Sequence, residues 1–229
     1  MRIGGVQLAE RFFQGTGHSY DHIVSLFTLG FDLWWKRKIL QKIPGNPLRI
    51  IDQASGTGIL TFKIAGRFPE ARVVGVELRD EYLVIARQKA AFLNLRRVEF
   101  VLGRAEEVFL EGSFDCITSS YLAKYAETDR WVRNCKRMLR DGGLLIAHDF
   151  TYPPNPYFAA LWEYYFRIMQ TVGSWRYPEW RTVFFELPEL LRRTKWVPEL
   201  RESLAMHGFS DISLEFRTFG SSAIITARK

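Results

Sequence analysis

What most constrains the fold of this chain is a repeat of short apolar runs separated by stretches of helical spacing. Residues 48–52 read as a strand and 58–68 as a helix, then 72–77 as a strand and 80–93 as a helix. The pattern continues with strands at 98–102 and 114–119, a helix at 128–139 and a strand at 144–150. Parallel neighbours need a crossover between them, so this alternation predicts an α/β sheet, mostly parallel, with helices on both faces. The runs "RIIDQ", "RVVGVE" and "LLIAHDF" are nearly continuous in apolar residues, as strands buried on both faces should be.

The ends of the chain depart from the repeat. Residues 20–43 carry apolar positions at helical spacing, interrupted near Gly30 and stopped by Pro44, Gly45 and Pro47. Beyond Pro154, "YFAALWEYYFRIMQTVG" predicts a long aromatic helix, "GSWRYPEWRTVFFE" a loop, and the stretch to "MHGF" two short helices. "SDISLEFRTF" and "SSAIITARK" read as a hairpin joining the sheet edge, antiparallel by construction. "TYPPNPY" reads as a proline-rich turn before the long helix. With 229 residues and no linker or repeat, one domain over 1–229 is expected.

Composition excludes some classes of function. No apolar run approaches the roughly 20 residues of a membrane span, and "MRIGGVQLAERFF" lacks the core of a signal peptide, so the cytoplasm is the expected compartment. Cys116 and Cys135 read as small core residues, with no metal site expected. The net charge of +7 favours anionic partners. Lys36, Arg37 and Lys38, directly after Trp34 and Trp35, and a second group at Arg192, Arg193, Lys195 and Trp196, read either as solvated helix faces or as a surface resting on anionic lipid.

The sharpest local signal is "LRIIDQASGTGIL" at 48–60, which reads as a strand, a tight turn and a helix start. Gly56 and Gly58 allow close approach of a ligand to the backbone, and the helix start offers free N–H groups. A dinucleotide loop wants a third small residue, which is absent, and a phosphate loop wants Gly-Lys-Ser/Thr, also absent. Asp52 just before the turn suits a cationic ligand such as S-adenosylmethionine (SAM) and would repel a pyrophosphate. Glu77 at the end of the next strand can accept both hydroxyls of a ribose, or cap the helix beginning near Asp80, where Asp80 itself is the better cap candidate.

"IDQASGTG", "VVGVELRDEYLVIARQKA", "VEFVLGRAEEVFLEGSFDCITSS" and "CKRMLRDGGLLIAHDF" resemble, in order and spacing, the motifs of class I SAM-dependent methyltransferases. The resemblance implies a Rossmann-like seven-stranded sheet with an antiparallel C-terminal hairpin. It implies that Asp52, Ala54, Ser55, Gly56, Thr57 and Gly58 surround the methionine part, with Tyr20 closing over it, and that Glu77 and Leu78 hold the ribose. It further implies that Arg104, Ala105 and Glu106 lie at the adenine and that Ser119 borders the cofactor. Arg104 stands where the family usually has an Asp that accepts from the adenine amino group, and Arg cannot accept a hydrogen bond.

"FFQGTGHSYDHIVSLFTLGFDLWWKRKIL" and the segment from "PPNPYFAALWEYYFRIMQTVG" to "MHGF" are similar to the ubiquinone/menaquinone biosynthesis C-methyltransferases. The resemblance implies a helical lid over 1–43, a helical insertion over 153–208 forming the acceptor pocket, and methylation of a ring carbon of a prenylated quinol. That family carries an Arg-Asn pair where this chain has Lys124 and Tyr125. Such chemistry needs alignment of the transferred methyl, exclusion of water and a base. His148 is the first candidate base, with Tyr121 and His18 after it. Other readings are methylation of a different small apolar or phenolic molecule, a methyltransferase-like binding module without catalysis, and an RNA methyltransferase, the last disfavoured because no recognition domain is added. Peripheral contact with the inner face of the membrane and a homodimer complete the expected partners.

Overall fold

The computed structural model describes residues 5–229; residues 1–4, the start of the expected lid, lie outside the described residues. Five strands, β1 (Arg49–Gln53), β2 (Arg72–Glu77), β3 (Val98–Leu102), β4 (Phe114–Ser120) and β5 (Leu139–Phe150), run parallel. β6 (Ser210–Arg217) and β7 (Ser222–Arg228) form the terminal hairpin, and β7 inserts antiparallel beside β5. The order is β3-β2-β1-β4-β5-β7-β6, the seven-stranded sheet expected from the repeat. The order reverses between β1 and β4, which opens a crevice at the carboxyl ends of those strands.

Successive strand residues point to opposite faces, and each face has its own core. Ile51, Ile117 and Leu145 pack under α6 (Thr128–Met138) and α10 (Trp196–Met206) through Trp131, Met138, Trp196 and Leu204. Ile50, Cys116 and Ile146 pack under α3 (Phe31–Lys42) and α4 (Ile59–Arg67) through Ile39, Leu60 and Ile64. Cys116 and Cys135 are buried and unpaired, as their apolar surroundings implied. α5 (Asp80–Phe92) covers the β2–β3 end.

A third cluster lies beyond the carboxyl ends of the strands. Phe12 of α1 (Gly5–Phe13) and Ile23 of α2 (Tyr20–Phe27) pack there with Tyr125, Trp180, Val183 and Phe184. The break near Gly30 is a left-handed turn, with φ 78° at Gly30, that lets α3 leave α2.

Three expectations are corrected here. The loop expected in "GSWRYPEWRTVFFE" is helical: α7 (Pro156–Ile168) continues through a π-helical turn, Met169–Gly173, into α8 (Ser174–Arg176), and a 3-10 turn leads into α9 (Arg181–Arg193). Burial of Trp180, Val183 and Phe184 against α1 and α2 outweighs the local Gly and Pro signals. The basic cluster after Trp34 is not wholly a surface: Trp35 and Lys36 are buried, and Lys36 pairs with Asp32 one turn earlier. In the second group Trp196 is a core residue whose indole donates to the Phe150 carbonyl at 2.7 Å.

Candidate active site

The crevice begins at the turn after β1. Ala54, Gly56 and Gly58 have φ of 55°, 57° and 89°, so the backbone coils left-handed at alternate residues and turns back on itself within the width of one strand. Gly56 has no Cβ, and one built there would stand 3.8 Å from the rings of Tyr20 and Tyr82. The Glu77 carboxylate, at the end of β2, accepts from the Gly56 N–H at 2.9 Å and from the Arg79 N–H at 3.0 Å. It therefore ties the glycine turn to the start of α5. Burial raises its pKa against these stabilising N–H groups. Asp80 is the first helical residue rather than the cap, which is Arg79.

The loop after β3 is fixed from below. Gln53, at the end of β1, accepts from the Trp131 indole at 2.7 Å. Asn134 of α6 donates to the carbonyls of Ala105 at 2.9 Å and Val108 at 2.8 Å. Arg104 pairs with Glu107 and Glu127, and Glu106 accepts from the Glu127 N–H at 3.2 Å.

Two cavities meet at this end of the sheet. The narrower, of about 90 Å³, is lined by Ala54, Gly56, Glu77, Leu78, Arg104, Ala105 and Glu106, together with Tyr20 and Tyr121. The larger, of about 400 Å³, is walled by α2, α3, α7 and α9 and is almost wholly apolar and aromatic. Phe13, Tyr20, Tyr121 and Tyr125 line both, so they form the partition. The Tyr20 ring packs edge-on to Tyr82 at 5.2 Å. The turn between α1 and α2 is tied to α5 by Glu81, whose carboxylate accepts from the N–H groups of Gly15 at 3.1 Å and Gly17 at 2.7 Å.

Beneath the partition lie two buried ion pairs. Lys36 pairs with Asp32, and Asp32 accepts the Tyr121 hydroxyl at 2.7 Å. Lys124 pairs with Asp149 at 2.6 Å, with side chains 2% and 0% exposed. Burial lowers the Lys124 pKa while Asp149 opposes the shift. Burial and the neighbouring Asp32 carboxylate hold the Tyr121 phenol well above its ordinary pKa, so it keeps its proton and donates it to Asp32.

The remaining sequence candidates lie elsewhere. Asp52 is buried and lines neither cavity; its oxygens accept from Thr61 at 2.6 Å and Thr118 at 2.9 Å. Ser55, Thr57, Gly58 and Ser119 also lie behind the lining, and Thr57 bonds Asp21 of α2. His18 is exposed and lines neither cavity. His148 is fully buried behind Tyr121, with Nδ1 3.0 Å from the Ser120 hydroxyl, and burial drives its pKa well below the ordinary range. Sequence reasoning missed Phe13, Arg79, Tyr82, Leu122 and Asp32. Asp32 alone had a signal, an i,i+4 acid–base pair with Lys36 in a helix of mixed polarity.

The comparisons agree with this geometry. The ubiE/COQ5 methyltransferase family matches residues 5–229. A demethylmenaquinone methyltransferase of Thermus thermophilus is 31% identical over 90% of this chain and 94% of its own. A ubiquinone/menaquinone biosynthesis C-methyltransferase of Geotalea daltonii is 24% identical over 96% and 95%. Among solved structures, a SAM-dependent methyltransferase of Aquifex aeolicus superposes with a TM-score of 0.59 at 14% identity over 84% of this chain and 88% of that one. Phosphoethanolamine N-methyltransferase 2 of Haemonchus contortus, in complex with phosphomonomethylethanolamine and S-adenosylhomocysteine, gives 0.70 at 15% identity over 100% of this chain and 60% of that one. At such identities the structural likeness carries the fold, and the family match carries the rest: this chain belongs to the ubiE/COQ5 methyltransferase family and is a SAM-dependent methyltransferase.

Proposed function

We propose that this enzyme transfers the methyl group of SAM to a ring carbon of a prenylated quinol. The observation that carries the reading is the pair of cavities joined at a four-ring partition, one polar-edged at the strand ends and one apolar and aromatic. The first suits SAM by its donor set. Glu77 offers a carboxylate to the ribose hydroxyls, Ala54 and Gly56 offer open backbone to the methionine part, and Leu78 and Ala105 flank the nucleoside. Arg104 cannot accept from an adenine amino group, so Glu106 and loop backbone take that edge. The second cavity suits an apolar ring with a prenyl tail, with α1–α3 as lid and the insertion, up to Leu191, as the outer wall. α10 packs on the sheet instead.

SAM supplies an electrophilic methyl group. The chain holds the acceptor in line with it and keeps water away. As the new carbon–carbon bond forms, the carbon–sulfur electrons return to sulfur; the ring proton is lost afterwards to water, once the product leaves the cavity, and the ring regains its aromaticity. The Tyr121 hydroxyl keeps its proton and donates its hydrogen bond to Asp32, so its oxygen presents lone pairs to a quinol hydroxyl and raises electron density at the neighbouring ring carbon. His148 fixes Ser120 beside it and acts by positioning, and His18 has no part in this reading. A quinol with a long tail resides in a bilayer, so the enzyme works as a peripheral protein at the cytoplasmic face.

The test is direct. Calorimetry should show saturable heat with SAM and with S-adenosylhomocysteine. Labelled methyl should then pass from SAM to demethylmenaquinol in detergent. Absence of both heats overturns the cofactor site, and label passing to RNA but to no quinol overturns the acceptor.

A further inference from the structure

The helical wall formed by α7, the π-helical turn and α8 is two-faced. Phe158, Trp162, Tyr165, Phe166 and Met169 turn inward and line the larger cavity. Tyr157, Tyr164, Ile168, Val172 and Trp175 face out and line neither cavity, with exposures of 85%, 61%, 38%, 55% and 82%. Leu161, at 63%, sits on both faces. Their spacing of three and four residues makes one continuous stripe along the helix. Such a stripe has a partner in most proteins.

The stripe runs into the mouth of the larger cavity. Leu29, Leu161 and Phe219 line that cavity and are 70%, 63% and 68% exposed. Phe219 stacks on Phe158 at 4.3 Å, which joins the turn before β7 to the start of α7. The cavity therefore opens within an apolar surface rather than beside it.

Charge selects the partner. The outward face of this helix carries Arg167 and Arg176, and neither makes an ion pair among the described residues. Its one acid, Glu163, is held by Arg192 and by Tyr152. A second copy packed about a two-fold axis near Ile168 would set Arg167 against its own equivalent. An anionic bilayer takes the same face without that repulsion, with tyrosine and tryptophan at headgroup depth and arginines on lipid phosphates.

We propose that this stripe is the membrane-docking face, laying the mouth of the larger cavity against anionic lipid so that a prenylated acceptor enters from the bilayer without crossing water. The proposal names the surface on which the acceptor reading above depends. The test uses the full-length enzyme and vesicles of phosphatidylglycerol with phosphatidylethanolamine, against vesicles of phosphatidylcholine alone. Wild type should co-sediment with the anionic vesicles and be released by salt. Arg167→Gln and Arg176→Gln should each weaken binding about fivefold, and Ile168→Glu with Trp175→Glu about tenfold or more. All these variants should methylate a short-tailed quinol in solution at the wild-type rate, because none of the four residues lines a cavity.

Wild type that ignores anionic vesicles while methylating the soluble quinol overturns the surface and leaves the acceptor reading intact. Wild type that binds vesicles but methylates no quinol overturns the acceptor reading and leaves the surface. A dimer that Ile168→Glu with Trp175→Glu dissolves, with no vesicle binding, makes the stripe an interface between copies and overturns the proposal.

Discussion

Replacing Asp52 by asparagine separates two readings of the most conspicuous acid in the sequence. On the sequence alone it faces a cationic ligand; in the fold its oxygens are occupied by Thr61 and Thr118 and it lines neither cavity. Burial pushes its pKa up from 3.8 to about 6, against the two threonine hydrogen bonds. A folded-state pKa above the unfolded one means that the native protein binds more protons between those two values. Its contribution to stability is then greatest below pH 3.8 and is lost as pH rises through about 6. The gap corresponds to about 3 kcal/mol of strain from the buried charge at neutral pH. Asp52→Asn removes the charge and keeps the shape; one threonine hydroxyl still donates to the amide oxygen and the other accepts from the amide nitrogen. Urea unfolding near neutrality should therefore show the variant more stable by about 1–3 kcal/mol, with the gain vanishing below about pH 4. SAM affinity by calorimetry should change less than about threefold, on the order of 0.7 kcal/mol. A variant less stable at neutral pH, or a gain independent of pH, refutes the electrostatic argument. A loss of SAM affinity beyond about tenfold shows that the carboxylate reaches the ligand.

Three further outcomes follow from the same site. Lys124→Met strands the buried Asp149 carboxylate with only the N–H groups of Lys124 itself and Phe150, and should cost about 3–5 kcal/mol in urea unfolding. Glu77→Ala removes the acceptor shared by the Gly56 and Arg79 N–H groups, so calorimetry should show SAM binding weakened by about tenfold or more. Tyr121→Phe keeps the stacking on Phe150 at 4.6 Å but loses the hydroxyl held by Asp32, so kcat should fall about a hundredfold while SAM affinity is kept.

Much of the molecule was legible in the chain itself. Period and polarity within a few neighbouring residues gave each strand and helix of the parallel sheet, the terminal hairpin and the glycine turn, because those elements are set by local spacing and by burial on both faces. Glu77, Leu78, Ala105 and Glu106, which the family resemblance assigned to the cofactor, line the narrower cavity; Glu77 closes β2 and the other three follow a strand, at the carboxyl ends where an open parallel sheet presents its crevice. The helices around Trp180 were not legible, because their helicity comes from contacts with α1 and α2, far away in sequence.

Direction was the other thing the sequence could not supply. It contains Asp32, Lys36, Asp52 and His148 as charges and rings, and only the packed structure decides what each faces. Lys36 turns inward to Asp32, Asp52 to two threonines, and His148 to Ser120 behind the site. A buried charge goes where a partner is, and the partners come from other segments of the chain. Local spacing therefore determined the sheet and the crevice at its carboxyl ends. Tertiary packing decided which polar groups line the two cavities and which merely hold the wall behind them.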